Sequence, residues 1–157
     1  MRVAGTRSAG ILLFRRVGDG AEVLLGHMGG PFWARRDDGG WTVPKGEYGP
    51  DEEPEAAARR EFTEELGVPV PPGPAVDLGT VRQSGGKVVT VWAVEGDLDP
   101  ASVVPGTFEM EWPPRSGRRQ EFPELDRVGW FALPDAHRKI LASQRPFLDR
   151  LATHLDG

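Results

Sequence analysis

The glutamates at positions 61, 64 and 65 are the residues of this chain whose type and spacing could do chemistry. In a helix, residues three and four positions apart share a face, with neighbouring Cβ atoms about 5–6 Å apart. Three carboxylates that close repel one another, so a fold that retains them favours a cation between them. Carboxylate oxygens suit a hard ion such as Mg²⁺ or Mn²⁺. The spacing therefore predicts a divalent-metal site, with a solvated acidic helix face as the alternative interpretation.

The residues around these glutamates predict a helix that begins at Pro54 and ends at Gly67. Proline suits the first helical position, where its missing N–H has no partner to lose. Glycine is typical of the position just after a helix. An apolar stripe recurs every four residues, at Ala58, Phe62 and Leu66. The glutamates lie mostly off this stripe, so we expect them to face solvent or a cleft.

The stretch from 46 to 68 resembles the Nudix box, G-x5-E-x7-R-E-U-x-E-E-x-G-U, in which U is a bulky apolar residue. The fixed positions all match at the required spacing: Gly46, Glu52, Arg60, Glu61, Phe62, Glu64, Glu65, Gly67 and Val68. A match over a whole loop–helix unit is far more specific than an isolated glycine motif. The resemblance to the Nudix hydrolase family implies an α+β fold, an α/β/α sandwich with a central mixed β-sheet.

The same resemblance implies hydrolysis of a nucleoside diphosphate linked to another group, with Mg²⁺ as cofactor and Mn²⁺ as an alternative. A pyrophosphate bridge carries several negative charges, and divalent ions neutralise them and orient the attacking water. The implied metal ligands are the side chains of Glu61, Glu64 and Glu65 and the backbone carbonyl of Gly46. Arg60 is expected to form a salt bridge that orients a box glutamate such as Glu52, which would then be structural.

Nudix enzymes often use one more carboxylate from outside the box, as a base or a further ligand. The diadenosine polyphosphate hydrolases place a glutamate five intervening residues before a tryptophan. Glu124 has that relation to Trp130, so the resemblance implies Glu124 as the catalytic base. Glu121 is the second candidate, and Glu109 or Glu111 the third. The alternative interpretation of Glu124 is an exposed turn residue.

Three further residues are candidates for substrate contacts. Lys45 directly precedes the box glycine, so a phosphate contact is expected. Lys87 opens a predicted strand where the family often has a basic residue, and it could instead be a protective charge on an edge strand. Trp33 lies in a long loop between Gly29 and Gly40, and loops of this length are often functional. Its ring could stack on a base or cap the edge of the core.

Strands and helices follow the order that the Nudix fold requires. Predicted strands cover residues 8–14, 22–27, 41–46, 78–82, 87–95 and 108–112, and a last strand ends at 131. Residues 113–119 are predicted to be a basic loop, and helices are predicted over 134–141 and 146–155. The entry Pro44-Lys45-Gly46 and the strand that opens at Lys87 resemble most the diadenosine polyphosphate hydrolase branch of the family. The loop around Phe32 and the segment 105–119 depart from that branch and resemble predicted bacterial NTP pyrophosphohydrolases.

Composition limits the remaining choices. The 157 residues predict a single domain, 1–157, and 19 basic against 24 acidic residues give a net charge of −5, which argues against general nucleic-acid binding. The chain has no cysteine, so no disulfide framework is expected. No stretch approaches ~18 apolar residues, and the N-terminus lacks the apolar run of a signal peptide. A cytoplasmic protein without membrane contact is expected, and its oligomeric state is left open.

These inferences lead to a Mg²⁺-dependent pyrophosphohydrolase that acts on a small nucleotide. Dinucleoside polyphosphates are the first substrate candidates and nucleoside triphosphates the second, ahead of nucleotide sugars and ADP-ribose. The alternative is a catalytically silent Nudix-fold domain that binds nucleotides or regulates a partner. Such a domain would be expected to lose box glutamates, whereas this chain retains all of them.

Overall fold

The side chains of strand β1 (Arg7–Val17) decide the architecture, because successive residues of a strand point to opposite faces of the sheet. Ile11 and Leu13 lie in the core on one face, and Leu12 and Phe14 lie in the core on the other. A strand that is buried on both faces needs a covering layer on each side. The computed structural model describes residues 6–157 and has this arrangement throughout.

Within these described residues, a seven-stranded mixed sheet forms the middle layer. Its other strands are β2 (Gly20–Met28), β3 (Trp41–Thr42), β4 (Lys45–Glu47), β5 (Ala75–Arg82), β6 (Val88–Glu95) and β9 (Leu125–Ala132), while β7 (Thr107–Glu111) and β8 (Arg119–Pro123) form a separate hairpin. The main order is β3-β2-β1-β6-β5, with β4 paired to β1 and β9 paired to β2. The β1–β6 pair is parallel and the other pairs are antiparallel.

Helix α1 (Pro54–Leu66) covers one face, and α2 (Leu133–Lys139) and α3 (Arg145–Asp156) cover the other. The predicted stripe of α1 is buried, with Ala58, Phe62 and Leu66 fully enclosed. This stripe packs on the same face of the sheet as Ile11 and Leu13. The expected α+β fold with an α/β/α sandwich is therefore confirmed. None of the helices in residues 6–157 is long and apolar enough to cross a membrane.

Both predicted ends of the glutamate-bearing helix are confirmed. Pro54 occupies its first turn, and the helix ends at Leu66. Gly67 follows in the left-handed conformation, with φ of 70°, and its N–H donates to the carbonyl of Thr63 at 2.7 Å. A residue with a Cβ is disfavoured in that conformation. The stop is therefore a local property of the glycine.

Three predicted boundaries were wrong. The single strand expected over 41–46 is broken between β3 and β4 at Pro44, which has no N–H to donate to a ladder. The basic loop expected over 113–119 ends one residue earlier, because Arg119 is the first residue of β8 and pairs with Glu111. The helix expected over 134–141 ends at Lys139, because the N–H of Leu141 instead donates to the carbonyl of Trp41 at 2.8 Å.

Candidate functional site

Strand β4 brings the box glycine to the middle of the sheet. It pairs with the first half of β1, and Gly46 lies opposite Ala9 while Lys45 lies opposite Gly10. Helix α1 packs over this strand, and its Glu61 carboxylate lies directly against Gly46. A Cβ at Gly46 would overlap both carboxylate oxygens of Glu61. A side chain at position 46 would therefore displace the carboxylate of Glu61 from its place over the strand.

The guanidinium of Arg60 ties the acidic residues of the loop and the helix together. It donates to both carboxylate oxygens of Glu52, at 2.7 and 2.8 Å, which is the contact expected from the sequence. It also donates to both oxygens of Glu64 at 3.1 Å and to Glu61 at 3.3 Å. The hydrogen bond from Arg60 lowers the pKa of Glu52, and the carboxylates raise the pKa of Arg60 in turn.

Glu65 has a buried carboxylate oxygen that lacks a partner. Its Oε2 atom is buried and has no hydrogen-bond partner among the described residues. Burial is the largest cause that raises its pKa to about 8, and the negative charges of Glu124 and Glu61 add to the effect. Burial also raises the pKa of Glu61, with the charge of Glu64 second. The site thus holds carboxylates that gain strongly from a nearby cation.

Glu124 joins these glutamates although it lies far along the chain. Its N–H donates to the carbonyl of Gly106 at 2.8 Å, and the N–H of Gly106 approaches the carbonyl of Glu65 at 3.4 Å. The carbonyl of Glu124 accepts a hydrogen bond from the N–H of Gly29 at 3.0 Å. Gly106 is thereby the link between the end of α1 and the segment before β9. A Cβ on Gly106 would lie 2.8 Å from the carbonyl oxygen of Glu64, so this link needs a glycine.

Together these residues enclose a small acidic cleft of about 140 Å³, which we call the carboxylate cleft. It is lined by Glu61, Glu64, Glu65, Gly106, Thr107 and Glu124. Partial loss of solvation raises the pKa of Glu124, and the positive charge of Lys45 partly offsets this rise. A carboxylate with a raised pKa is better suited to accept a proton near neutral pH. The other candidate bases, Glu109, Glu111 and Glu121, do not line the cleft.

A wider cleft of about 400 Å³ shares three glutamates with the first and adds basic and polar side chains. It is lined by Ser8, Lys45, Gly46, Glu47, Glu61, Glu65, Gln83, Lys87 and Glu124. Burial lowers the pKa of Lys45, and the charge of Lys87 lowers it further while Glu65 opposes the change. Both predicted lysines therefore line the same opening as three of the carboxylates.

Several residues of the two clefts were missed by the sequence reasoning. Ser8 could have been found from register, because β1 pairs it with Glu47 next to the box glycine. Gln83 directly precedes the glycine turn between β5 and β6. For Gly106 and Thr107 the sequence carries no signal, since their place depends on contacts with the end of α1.

The structure does not bring Trp33 to either cleft. Its ring is half-buried and lies under the guanidinium of Arg36, with 5.3 Å from the guanidinium carbon to the ring centroid. The expected stacking of Trp33 on a base therefore stays a prediction, without support from the lining of the clefts.

The donor set fits a hard divalent cation by its chemistry. Carboxylates and a backbone carbonyl are the ligands that Mg²⁺ and Mn²⁺ prefer, and Glu65 Oε2 is an orphaned oxygen in need of a positive partner. Within residues 6–157, no three acidic or histidine side chains are gathered around one point. Glu64 is held by Arg60, so its carboxylate has to turn to reach a shared ion.

Comparisons with known proteins agree with this fold. A sequence model of the NUDIX domain matches residues 5–151. A C. elegans Ap4A hydrolase, solved as a binary complex, has a TM-score of 0.67 at 22% identity, covering 97% of this chain and 98% of that one. The NUDIX domain of Shewanella oneidensis NrtR complexed with ADP ribose has a TM-score of 0.65 at 20% identity, covering 98% and 90%. A MutT protein from Methanosarcina mazei Go1 has a TM-score of 0.63 at 22% identity, covering 100% and 99%. No curated protein sequence matches the chain.

Proposed function

This chain belongs to the Nudix family of hydrolases acting on phosphorus-containing anhydrides, and from that premise we propose that it cleaves the pyrophosphate linkage of a nucleoside polyphosphate with Mg²⁺ as cofactor. The observation that carries the proposal is the convergence of Glu124 with three box glutamates on one cleft that opens toward two lysines. Such a cleft suits an anionic substrate. The glutamates would bind it through a cation, and the lysines would bind it directly.

In this proposal the glutamates hold the cation. Its ligands are the side chains of Glu61, Glu64 and Glu65 and the backbone carbonyl of Gly46. When bound, the ion neutralises phosphate oxygens and makes a water more acidic. Arg60 is a positioning residue, because its guanidinium fixes Glu52, Glu61 and Glu64 at the same time. Such supporting contacts orient ligands and tune their affinity.

The proton and the phosphates are assigned to the remaining residues. Glu124 accepts the proton of the attacking water, since its raised pKa brings it closer to neutral pH. Lys45 and Lys87 bind phosphate oxygens in the wider cleft. The partly buried ammonium of Lys45 gains most from such an anion, because burial otherwise disfavours its charge.

The substrate is a dinucleoside polyphosphate or a nucleoside triphosphate. Two similar structures point to nucleotides. One is named as an Ap4A hydrolase, from C. elegans, and the other is the NrtR domain complexed with ADP ribose. Their identity to this chain is at most 22%, so they support the fold and suggest compounds for testing. Nucleotide binding without turnover is the alternative outcome, which the experiment must separate.

The test is to incubate the protein with Mg²⁺ and a panel of nucleotides and to separate the products by chromatography. We expect turnover that disappears with a chelator and returns with Mg²⁺ or Mn²⁺. Glu65→Gln should lower kcat at least ~100-fold, in line with loss of a group that acts on the transition state. Glu121→Gln removes the same charge from an exposed strand residue and should retain activity. Nucleotide binding without any turnover in the wild type would favour the silent regulatory domain.

A further inference from the structure

The β7–β8 hairpin carries aromatic side chains on one of its faces. Phe108 and Phe122 are directly paired across the two strands, so their rings lie on the same side, with centroids 6.0 Å apart. Glu109 and Glu111 alternate with Phe108 along β7 and are exposed on the other face. The hairpin therefore has an aromatic face and a charged face.

A loop from the other end of the chain completes the aromatic face. Trp112 continues the Phe108 side of the hairpin by alternation, and Phe32 meets its ring edge-on at 5.4 Å and 85°. We call the set Phe32, Phe108, Trp112 and Phe122 the aromatic platform. None of these residues belongs to either core cluster of the described chain, and Phe32 is 69% exposed. The rings at the outer end of the platform are thus not needed to build the core.

Among the hydrogen bonds that hold the loop presenting Phe32, two come from buried side chains. His27 is fully buried, and its Nε2 bonds the carbonyl of Arg36 at 2.5 Å. The indole N–H of Trp41 donates to Asp37 at 2.9 Å. Among the described residues, β7 and β8 pair with no other strand, and an isolated two-stranded hairpin is marginally stable in water. The platform therefore joins a loop anchored on core side chains to a hairpin that lies outside the main sheet.

The platform begins at the carboxylate cleft and extends away from it. Thr107, the first residue of β7, lines that cleft, and β8 ends one residue before Glu124. Trp112 lies five residues beyond Thr107, which corresponds to about 17 Å of extended strand. A molecule whose reacting phosphates lie in the cleft needs a long linker to place a ring on Phe32.

We propose that Phe32 and Trp112 receive the distal nucleobase of a dinucleoside polyphosphate whose phosphate chain lies in the carboxylate cleft. This inference rests on the proposed function and narrows its substrate class. The exposed ring of Phe32, beside the half-buried Trp112, can stack on any planar base, because every base offers a π-face. The long separation from the cleft selects a substrate with a second nucleoside at the far end of a polyphosphate chain. A nucleoside triphosphate has no such second base.

The test compares kcat and KM for diadenosine tetraphosphate and ATP in the wild type and in Phe32→Ala. Base–aromatic stacking predicts a KM for diadenosine tetraphosphate about 5- to 100-fold higher in the variant, with kcat and the KM for ATP each within about twofold of the wild type. Val17→Ala, which truncates another exposed apolar side chain at the far end of β1, should leave both substrates unchanged. An unchanged KM for diadenosine tetraphosphate in Phe32→Ala, or an equal rise for ATP, overturns the inference while leaving the hydrolase assignment intact.

Three further readouts separate the remaining outcomes. A KM effect in Trp33→Ala but not in Phe32→Ala assigns the base to Trp33 and rejects the platform. If the wild type turns over neither compound, quenching of tryptophan fluorescence by diadenosine tetraphosphate still tests the subsite. Binding at least about fivefold weaker in Phe32→Ala supports it, and equal binding rejects it. Concentration-dependent dimerisation that Phe32→Ala abolishes would show the platform to be an interface between copies of the chain, and would reject a base there.

Discussion

Replacing Glu65 with glutamine should stabilise the metal-free protein above neutral pH and also remove its response to Mg²⁺. Glu65 buries an unpartnered carboxylate oxygen beside the charges of Glu124 and Glu61. Its pKa rises from 4.5 to about 8, and at ~1.36 kcal/mol per unit this corresponds to at most about 5 kcal/mol. Because part of the side chain still contacts solvent and glutamine keeps a buried polar group, we expect a gain of about 2–3 kcal/mol at pH 9.

The direction of the pH dependence follows from proton counting. Between pH 4.5 and about 8, Glu65 holds a proton in the folded protein, while the same group in the unfolded chain has lost it. Stability therefore decreases with rising pH, by about 1.4 kcal/mol per unit. From pH 6 to pH 8 the wild type should lose about 2 kcal/mol that Glu65→Gln does not lose. Glu61 and Glu124 also have raised pKa values and add a decrease of the same sign to both proteins.

The assay is urea unfolding followed by tryptophan fluorescence, at several pH values, in chelator and in Mg²⁺. An ion at 100 times its Kd should stabilise the wild type by about 2.7 kcal/mol, because it binds only the folded state. The variant should gain less than about 1 kcal/mol, so Mg²⁺ should narrow the difference in stability between the two proteins by about 2 kcal/mol. Glu121→Gln should follow the wild type in both conditions. Parallel pH curves for the wild type and Glu65→Gln in chelator, or an undiminished Mg²⁺ effect in the variant, would refute the reasoning.

Three other perturbations test individual parts of the site. Arg60→Lys loses the bidentate contact with the glutamates. It should lower kcat 10- to 100-fold with a smaller effect on KM. A change in KM alone would contradict a positioning role. Gly106→Ala places a Cβ 2.8 Å from a carbonyl oxygen of α1 and should lower kcat, whereas Gly20→Ala, with its nearest contact at 3.9 Å, should not. Glu124→Gln should reduce the rate by about 10²–10⁴ and abolish the acidic limb of the pH–rate profile, because the base works only above its raised pKa. An unchanged profile in Glu124→Gln, or the same loss in Glu121→Gln, would reassign the base.

The features that could be predicted from sequence are those that depend on near neighbours in the chain. The spacing of Glu61, Glu64 and Glu65, the proline start and the glycine stop lie within one helix, and local rules are sufficient for it. The continuous apolar run of β1 likewise predicts a strand that is buried on both faces. Even the contact of Arg60 with Glu52 follows from a helix and the loop directly before it.

The predictions fail where distant segments compete for the same backbone. Leu141 lies outside its predicted helix, because its N–H donates to the carbonyl of Trp41. The hairpin at 107–123 is set by the pairing of two segments that each have a weak pattern of their own. Such boundaries depend on which partner captures an N–H, and the sequence near them does not contain that partner.

For this protein, the sequence by itself determined the acidic helix, the glycine on which that helix rests and hence the family to which the chain belongs. Only the tertiary structure decided that Gly106 joins Glu124 to the end of α1, and that Phe32 meets Trp112 at the outer end of the β7–β8 hairpin. The physical reason is range. Helix spacing and glycine conformation are fixed by a few neighbouring residues, whereas the wall of a cleft forms from side chains that only the packing of the whole sheet brings together.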